Sequence, residues 1–264
     1  MSRITVEEEY RRNPELRKED VLYLQDWLSK QPHLPKVPDL WSKRDPLLPE
    51  IQNALTILNV AILPKKDDHG NVVIMTRLGD KDASHYLGTE TTKVFLMLYD
   101  LVLLVHGTSP GIVIIFDSDG FSLGHLAKIN LGTNKKFLLY TQDAYPGRTE
   151  RFHVINCASI VDRLFSMSMP FVKKELLGKI SFHPKGAEGM ESFFRLVPKR
   201  ILPKNYGGDE ESFETIHQQT CDKMLEHRDW FVQDEMMRVN ESKRPGKAKS
   251  AGDVFGLVGL VQET

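Results

Sequence analysis

Two carboxylates near the middle of the chain, Asp117 and Asp119, have the position and chemistry of candidate catalytic groups. They follow a buried apolar run, and α/β folds place ligand and reactive groups at the carboxyl ends of such strands. A catalytic role requires a histidine such as His125 to converge with Asp117 in a wet cleft. The tetrapeptide Asp-Ser-Asp-Gly is also a turn sequence, in which carboxylates end a strand and cap the next turn. The turn interpretation is favoured, so no catalytic residue is predicted and the chain is not expected to be an enzyme.

The sequence carries no other signature of catalysis, phosphate binding or metal binding. It has no glycine-rich dinucleotide loop, phosphate-binding loop, nucleophile-elbow serine or H-E-x-x-H motif. The 9 histidines are scattered, and the 2 cysteines, Cys157 and Cys221, are too few for a disulfide framework or a four-cysteine zinc site. No metal and no cofactor are therefore expected. The 35 Lys and Arg residues balance 36 Asp and Glu residues, so no basic excess indicates nucleic-acid binding.

Large apolar residues are concentrated on a helix predicted over residues 89–106. The run from Val94 to Val105 is broken only by Asp100, so the helix is apolar on nearly all faces. It is too short to span a bilayer, which takes roughly 20 apolar residues. Such a helix must be covered on all sides, either by protein or by a hydrophobic molecule bound to protein.

Strands and helices alternate along the rest of the chain. Strands are predicted over residues 72–76, 111–116, 152–156 and 180–182, and further helices over 123–129, 134–143, 160–177 and 190–196. This alternation indicates an α/β fold, with a parallel or mixed sheet and crossover helices that cover at least one face. A helix over 213–230 has mixed charge and is predicted to be peripheral.

The helix predicted over 160–177 carries one apolar stripe, formed by Val161, Leu164, Met167 and Phe171. A core-facing helix is the more common meaning of such a stripe. Methionine suits an adaptable surface, however, and Pro170 weakens helix pairing. This helix is therefore a candidate for a mobile lid.

Basic residues gather around the same helix, namely Arg148, Arg151, Lys173, Lys174 and Lys179. Cations in a last helical turn also complement the helix dipole, so ordinary helix-end charges are an equally good interpretation. Glu150 and Glu175 lie among these residues and dilute their charge. The functional hypothesis is a patch that contacts anionic lipid headgroups beside an apolar opening.

The amino-terminal segment is predicted to form one helix capped by Asn13, followed by a proline-rich linker that ends near Pro49. The opening residues are charged throughout and lack the apolar core of a signal peptide. A cytoplasmic protein with transient membrane association is therefore expected. The basic stretch at 242–253, which is rich in small residues, is predicted to be a flexible tail.

Three longer motifs occur in a characteristic order. They are GIVIIFDSDGFSLGHL at 111–126, RFHVINCASIVDRLFSMSMPFVKKELLGKISFHP at 151–184 and LPKNYGG at 202–208. In order and spacing they resemble the CRAL-TRIO lipid-transfer family, especially its α-tocopherol transfer and retinaldehyde-binding branch and the arthropod relatives of that branch. The resemblance implies a mixed sheet that forms the floor of a closed apolar cavity, with a lid helix over about 158–179.

The resemblance also implies which residues line that cavity. The pocket positions of tocopherol-binding members correspond here to Val94, Leu98, Ile112, Phe116, Phe121, Ile129, Phe137, Tyr140, Val161, Leu164, Met167 and Phe171. All are apolar or aromatic, as a hydrophobic ligand requires. Serines that orient the ligand in those members correspond to Val94 and Leu98, which argues against assuming tocopherol itself.

Only some of the phosphoinositide-binding positions of tocopherol-transfer members correspond to basic residues here. Two correspond to Arg148 and Lys179, and two more to Glu150 and Glu175, although the adjacent Arg151 and Lys174 could substitute. The resemblance implies a protein that encloses a tocopherol, retinoid, carotenoid or similar lipid and transfers it between membranes. Contact with anionic, phosphoinositide-containing membrane would accompany the transfer. The alternative is a non-catalytic protein- or phosphoinositide-interaction module without a transferable ligand.

The resemblance divides the chain into a shortened helical region over 1–49, a lipid-binding domain over 50–240 and a tail over 241–264. Family members carry several helices before the lipid-binding domain. Here one predicted helix leads almost directly into the linker, as if helices were missing between Pro38 and Ser42. We therefore expect the surface that those helices normally cover to be exposed or repacked.

Overall fold

A computed structural model of the chain describes residues 5–15, 17, 19, 43–157, 160–236 and 245–247. Most of the predicted amino-terminal helix, the segment between Pro38 and Ser42 and most of the predicted tail lie outside these residues. A short helix, α1 (Val6–Arg12), precedes Asn13, whose backbone N–H donates to the Glu9 carbonyl. Asn13 thus follows the end of a helix that sequence patterns did not predict.

The remaining elements largely follow the predicted alternation. The first half contains α2 (Pro49–Ile57), β1 (Leu58–Ile62), β2 (Val72–Leu78), α3 (Gly88–His106), β3 (Ile112–Asp117), α4 (Leu123–Ala127), α5 (Leu131–Asp143) and β4 (Thr149–Cys157). The second half contains α6 (Ile160–Ser168), α7 (Lys174–Leu177), β5 (Ile180–Pro184), α8 (Ala187–Phe194), α9 (Phe213–Glu226) and α10 (Arg228–Met236). Short 3-10 helices span Met169–Phe171, Lys199–Ile201 and Lys204–Tyr206. The α/β prediction is confirmed, while α2 and β1 were not predicted.

The strands form one mixed sheet whose spatial order, β1-β2-β3-β4-β5, is the order of the chain. β1 runs antiparallel to β2, and all other neighbours are parallel. Because crossovers between parallel strands are right-handed, a sheet in chain order places successive crossover helices on the same face. We call it the cavity face. Ile74 and Ile114 lie on it, in one buried cluster with Leu98 of α3.

The opposite face of the sheet is covered by the second part of the chain. Val73 and Ile115 pack there against Phe193 of α8 and Phe213 of α9. The prediction of a peripheral helix over 213–230 is wrong. The structure has two helices in this region, and their residues Phe213, Ile216, Met224 and Phe231 are all fully buried. The charges between these positions obscured an apolar stripe of helical spacing.

Asp100, which interrupts the apolar helix α3, has a structural partner in Arg44. The Arg44 side chain is fully buried, and its Nη1 donates to Oδ2 of Asp100 over 2.5 Å. Its Nη2 forms a second ion pair with Asp234 of α10. Nearby, Arg228 binds both carboxylate oxygens of Asp45, at 2.7 and 2.6 Å. Two arginines therefore attach the segment before α2 to helices from distant parts of the chain.

The lid region is not the single helix that was predicted over 160–177. It is broken into α6, the 3-10 helix Met169–Phe171 and α7. Pro170 has no backbone N–H to donate to the preceding turn, so the α-helix ends at Ser168. The chain then becomes extended at Val172 before α7 begins. Residues 158–159, where the predicted lid begins, lie outside the described residues.

Candidate functional site: a covered apolar cavity

A cavity of about 240 Å³ lies between the cavity face of the sheet and the helices α3, α5 and α6. Its floor includes Ile114 and Phe116 of β3 and Phe152 of β4, and its walls include Phe95 and Phe137. The chain-order sheet explains its position. Because the crossover helices gather on one face, the space between them and the strands is enclosed on several sides.

The cavity lining is mostly apolar and, among the described residues, uncharged. Its aromatic members are Tyr86, Phe95, Tyr99, Phe116, Phe121, Phe137, Phe152 and Phe165, and its aliphatic members are Leu58, Ile114, Ile129, Leu138, Leu164, Val172, Leu176 and Ile180. The others are Gly88, Thr91, Thr92, Asn130, Asn134, Thr141, Thr149 and Ser168. None of the lining residues that the structure describes has a charged side chain, so a buried ion would meet no opposite charge in this wall.

Several residues implied by the family resemblance lie in this wall. They are Phe116, Phe121, Ile129, Phe137 and Leu164. They come from β3, the loops around α4, helix α5 and the lid helix α6. The motifs therefore placed the cavity between the correct elements, although individual residues on those elements differ.

Val94 and Leu98 do not line the cavity; both are fully buried in the core cluster of the cavity face. The face of α3 that lines it carries Thr91, Phe95 and Tyr99 instead. One residue along an α-helix corresponds to a rotation of about 100°. Because α3 is apolar nearly all round, its sequence pattern cannot distinguish the core-facing side from the cavity-facing side.

The other implied residues also lie outside the cavity lining, each for a local reason. Ile112 shares the face of Ile114 and Phe116 but lies at the start of β3, within the core cluster. Tyr140 packs against Tyr145, with ring centroids 6.2 Å apart. Val161 is 1% exposed, again within protein core.

Met167 and Phe171 are the remaining residues of the predicted lid stripe. Both are half-buried but outside the cavity wall. Nζ of Lys135 lies over the Phe171 ring, 5.7 Å from the ring centroid. The lid instead presents Leu164, Phe165, Ser168, Val172 and Leu176 to the cavity. Phe165, Ser168, Val172 and Leu176 are themselves spaced at i, i+3, i+7 and i+11, but the polar Ser168 interrupts this second stripe, so sequence reasoning chose the uninterrupted apolar stripe instead.

Aromatic residues missed by sequence reasoning join the lid to the sheet. The Phe165 ring of α6 lies 6.0 Å from Phe152 of β4 and 4.6 Å from Phe182 of β5, between ring centroids. Phe152 lies on the same face of the sheet as Ile114 and Phe116. The alternation of side chains along β4 was therefore the signal that could have identified it. Phe182 remains 47% exposed, which leaves an apolar edge beside the lid.

Side chains of α5 hold the broken part of the lid. Nδ2 of Asn134 donates to Oγ of Ser168 over 2.9 Å. Nε2 of Gln142 donates to the Phe171 carbonyl over 3.0 Å, while its Oε1 accepts the Lys173 N–H at 2.7 Å. The backbone groups that Pro170 leaves without a regular helix are thus partly satisfied by α5.

His125 and Asp117 do not form the catalytic pair that the enzyme hypothesis requires. His125 is fully buried and stacks on Phe121, with centroids 5.3 Å apart. Its Nδ1 accepts the backbone N–H of Ser122 at 3.2 Å, and burial lowers its pKa. Asp117 accepts instead from the Tyr206 hydroxyl at 2.7 Å and from Nδ2 of Asn156 at 2.8 Å. The two residues thus belong to separate hydrogen-bond networks.

The predicted basic residues do not form one continuous, unpaired patch. Oε1 of Glu150 lies 3.6 Å from Nε of Arg148, and Oε2 lies 3.7 Å from Nζ of Lys179. Lys173 forms an ion pair with Asp143. Arg151 lies beside a different concavity of about 610 Å³, which is also lined by Val113 of the opposite face. Lys174 is exposed at the start of α7.

The described ranges contain neither a candidate metal-binding cluster nor a helix suited to span a membrane. No group of three or more His, Cys, Asp or Glu side chains there is arranged to hold a metal ion. No helix among those residues is long and apolar enough to cross a membrane.

Comparison with known proteins identifies the family to which the chain is related. Residues 58–208 match the family profile described as the CRAL/TRIO domain. The human protein named alpha-tocopherol transfer protein-like is 29% identical over 157 residues, which cover 59% of this chain and 45% of that protein. Clavesin-1 of Rattus norvegicus is 23% identical over 163 residues, or 61% of this chain and 45% of that protein.

The chain thus aligns with about half the length of these relatives. A solved structure described as the crystal structure of Sfh5 aligns with a TM-score of 0.48 and 15% identity, over 68% of this chain and 63% of that one. The family match runs from the first residue of β1 to the glycines after Tyr206, and so includes the whole sheet and the cavity. Since it spans more than half of the sequence, the chain belongs to the CRAL/TRIO domain family.

Proposed function

We propose that this protein binds a small hydrophobic lipid in the cavity and transfers it between membranes. The single observation that carries the proposal is the covered cavity whose described lining contains no charged side chain. Burial of apolar surface contributes about 25 cal/mol per Å², so a ligand that buries ~400 Å² gains on the order of 10 kcal/mol before entropy costs. Shape and apolar contact alone can therefore support tight binding.

The relatives support the transfer part of the proposal. The human relative is named for similarity to a tocopherol transfer protein, and the match includes β1 to β5 and the lid. Apolar walls specify shape more than chemical identity, so a tocopherol, a retinoid and a carotenoid are all candidate ligands for this chain. The lid explains how release could occur, because Leu164, Phe165 and Ser168 of α6 line the cavity while the opposite side of the same helix is exposed at Arg163 and Ser166.

Contact with an anionic membrane would bring the lid to the bilayer. Exposed Lys174 lies at the start of α7, next to the lid. Lys179 follows α7, and Glu150 lies between Lys179 and Arg148. Basic residues near an anionic bilayer contribute about 1 kcal/mol each. Arg151 and Lys173 contribute less in this proposal, because Arg151 lies beside Val113 of the opposite face and Lys173 is paired with Asp143.

Ligand binding is tested by extracting the purified protein with organic solvent and identifying the extract by mass spectrometry. A cavity-filling variant, Leu138→Trp, should weaken binding of the uncharged fluorescent probe N-phenyl-1-naphthylamine about tenfold or more, because Leu138 lines the cavity. The control Leu225→Trp, at an exposed site on α9, should bind normally. An empty extract and no probe binding by the folded protein would instead favour the interaction module.

Membrane contact is tested by transfer of a fluorescent lipid between vesicles. The triple variant Arg148→Glu, Lys174→Glu, Lys179→Glu should slow transfer to acceptors that contain anionic lipid and leave transfer to neutral acceptors unchanged. The triple variant Lys65→Glu, Arg200→Glu, Lys204→Glu, at exposed positions outside the lid, is the charge-matched control and should transfer lipid normally. Equal transfer by the first triple variant and the unaltered protein would remove the membrane part of the proposal.

A further inference from the structure

We infer that the Asn134 side chain anchors the polar end of the bound lipid and, through Ser168, couples ligand binding to closure of the lid. The inference rests on the proposed function, since it concerns the ligand of the same cavity. It assigns a ligand class, an uncharged lipid with one hydroxyl or carbonyl group, and a specificity-determining residue.

The hydrogen bonds around Asn134 have a defined direction. Asn134 lies on α5 and lines the cavity beside the lid helix α6. The Ser168 hydroxyl donates to the Leu164 carbonyl at 3.2 Å, so its oxygen accepts from Nδ2 of Asn134 at 2.9 Å. This network places the amide nitrogen toward Ser168. The amide oxygen and one amide hydrogen of Asn134 have no protein partner among the described residues and can bind a ligand.

The three threonines that line the wall from helices use their hydroxyl hydrogens within those helices. Oγ1 of Thr91 donates to the Leu87 carbonyl at 2.8 Å, and Oγ1 of Thr92 donates to the Gly88 carbonyl at 2.7 Å. Oγ1 of Thr141 donates to the Phe137 carbonyl at 3.0 Å. Asn134 therefore differs from them, because it retains both a donor and an acceptor for a molecule inside the cavity.

An amide in an apolar wall discriminates among ligands that are otherwise alike. A hydrocarbon leaves the Asn134 amide unpaired and desolvated, which opposes binding. A hydroxyl or carbonyl group pairs with it. An ionised carboxylate gains one hydrogen bond but meets no cation in the described lining, and an uncompensated charge is unfavourable in such a place. An uncharged lipid with one polar group satisfies the site best.

The position of Asn134 also connects the ligand to the lid. The same amide group that faces the cavity donates to Ser168 in the last turn of α6. A ligand that fixes the Asn134 amide also fixes the donor that holds Ser168 of the lid. Ligand binding and lid closure therefore favour each other. We expect ligand binding to slow the opening of α6.

The test uses displacement of N-phenyl-1-naphthylamine from the whole protein by 1-dodecanol, dodecane and dodecanoate at pH 8. We expect dodecanol to bind about tenfold more tightly than dodecane, since one satisfied buried hydrogen bond is worth roughly that factor. Dodecanoate should bind more weakly than dodecanol. Asn134→Leu, which keeps the branching and the number of heavy atoms of the side chain, should remove the preference for dodecanol over dodecane, whereas Thr141→Val should keep it.

The lid supplies a second readout that a purely structural role of Asn134 would not change. Dodecanol should slow hydrogen exchange over residues 160–172 in the unaltered protein, and this slowing should be lost in Asn134→Leu. Equal affinity for dodecanol and dodecane in the unaltered protein would overturn the inference and leave the proposed function standing. That comparison needs no variant. Failure of the probe to bind at all would overturn the proposed function, and the inference with it.

Discussion

The Tyr206 hydroxyl donates a 2.7 Å hydrogen bond to Oδ2 of Asp117, and this contact joins the last of the three sequence motifs to the first. Oδ1 of the same carboxylate accepts from Nδ2 of Asn156, in the middle motif, at 2.8 Å. Asn156 has a φ of 54°, a left-handed conformation that asparagine tolerates better than most residues. The three motifs therefore meet at one buried carboxylate, so their shared spacing has a structural explanation.

Replacement of Tyr206 by Phe should lower the free energy of unfolding by about 2 kcal/mol, the range for hydrogen bonds to charged groups. The phenol is 8% exposed and the Asp117 carboxylate 6%, so water does not easily replace the lost bond. Burial and the neighbouring carboxylate both raise the pKa of Tyr206, so it remains a hydrogen-bond donor at neutral pH. Urea denaturation measures the change. A stability equal to that of the unaltered protein would show that the Tyr206–Asp117 bond is dispensable.

Arg44→Met should destabilise the fold by about 3–5 kcal/mol, because it leaves buried carboxylates without their arginine. Asp100 and Asp234 are 7% and 6% exposed. Adding Asp100→Asn and Asp234→Asn to Arg44→Met should recover part of the loss, since the buried negative charges are then removed together with the arginine. Arg228→Met, which breaks the more exposed pair with Asp45, is the control and should cost about 1 kcal/mol or less. Thermal or urea unfolding of the series distinguishes these outcomes.

Acidification should destabilise the face of the sheet opposite the cavity. Nδ1 of His153 lies 3.1 Å from Nε2 of His183, whose Nδ1 lies 2.7 Å from the Ser192 hydroxyl. Burial, and then the positive charge of His183 and Arg151, lower the pKa of His153 to about 4. The folded state therefore prefers the neutral ring. Its contribution to stability is present above the unfolded pKa of about 6.5 and is lost as pH falls from there toward 4.

The histidine contribution is measured by urea unfolding of the unaltered protein and of His153→Phe between pH 7.5 and pH 5. Stability should decrease more steeply with acidification in the unaltered protein, by roughly 2 kcal/mol over this interval. His106, whose pKa is also lowered to about 4 by burial, is present in both proteins and cancels in the comparison. Parallel curves would mean that His153 does not couple protonation to unfolding.

Much of the fold follows from local sequence pattern, whereas the cavity wall depends on contacts between distant elements. The run at 112–116 is continuously apolar and β-branched for most of its length, so it predicts a buried strand by itself. Leu98 and Tyr99 are adjacent on a helix that is apolar all round, and only the packing of α3 decides that Tyr99 faces the cavity. Local pattern could not indicate this choice.

Long-range polar contacts were likewise beyond prediction from one sequence. Asp100 looked like an interruption of an apolar helix because its partner, Arg44, lies 56 residues earlier in the chain. The second carboxylate of this site, Asp234, lies 190 residues after Arg44. Sequence reasoning treated the arginine segment as linker, and it assigned no element to Asp234, which lies just beyond the helix predicted over 213–230. Their burial follows only from the three-dimensional arrangement of α3 and α10.

The last prediction concerns Gln142, which bridges α5 to the break in the lid. Its amide donates to the Phe171 carbonyl and accepts from the Lys173 N–H, so one side chain satisfies backbone groups on both sides of Val172. Gln142→Leu should leave these groups without partners, loosen residues 169–173 and release N-phenyl-1-naphthylamine roughly tenfold faster, in proportion to the lost hydrogen bonds.

Stopped-flow release of the probe and hydrogen exchange over 169–173 measure the effect of Gln142→Leu. The control is Gln218→Leu on α9, where the amide donates only to exposed Asp222 at 2.9 Å, and no change in release is expected there. Faster release together with faster exchange identifies the α5 contact as a restraint on lid opening. Faster exchange with unchanged release would mean that the ligand leaves by a route that does not require residues 169–173 to move. The exit would then lie at α6 or at the exposed edge beside Phe182.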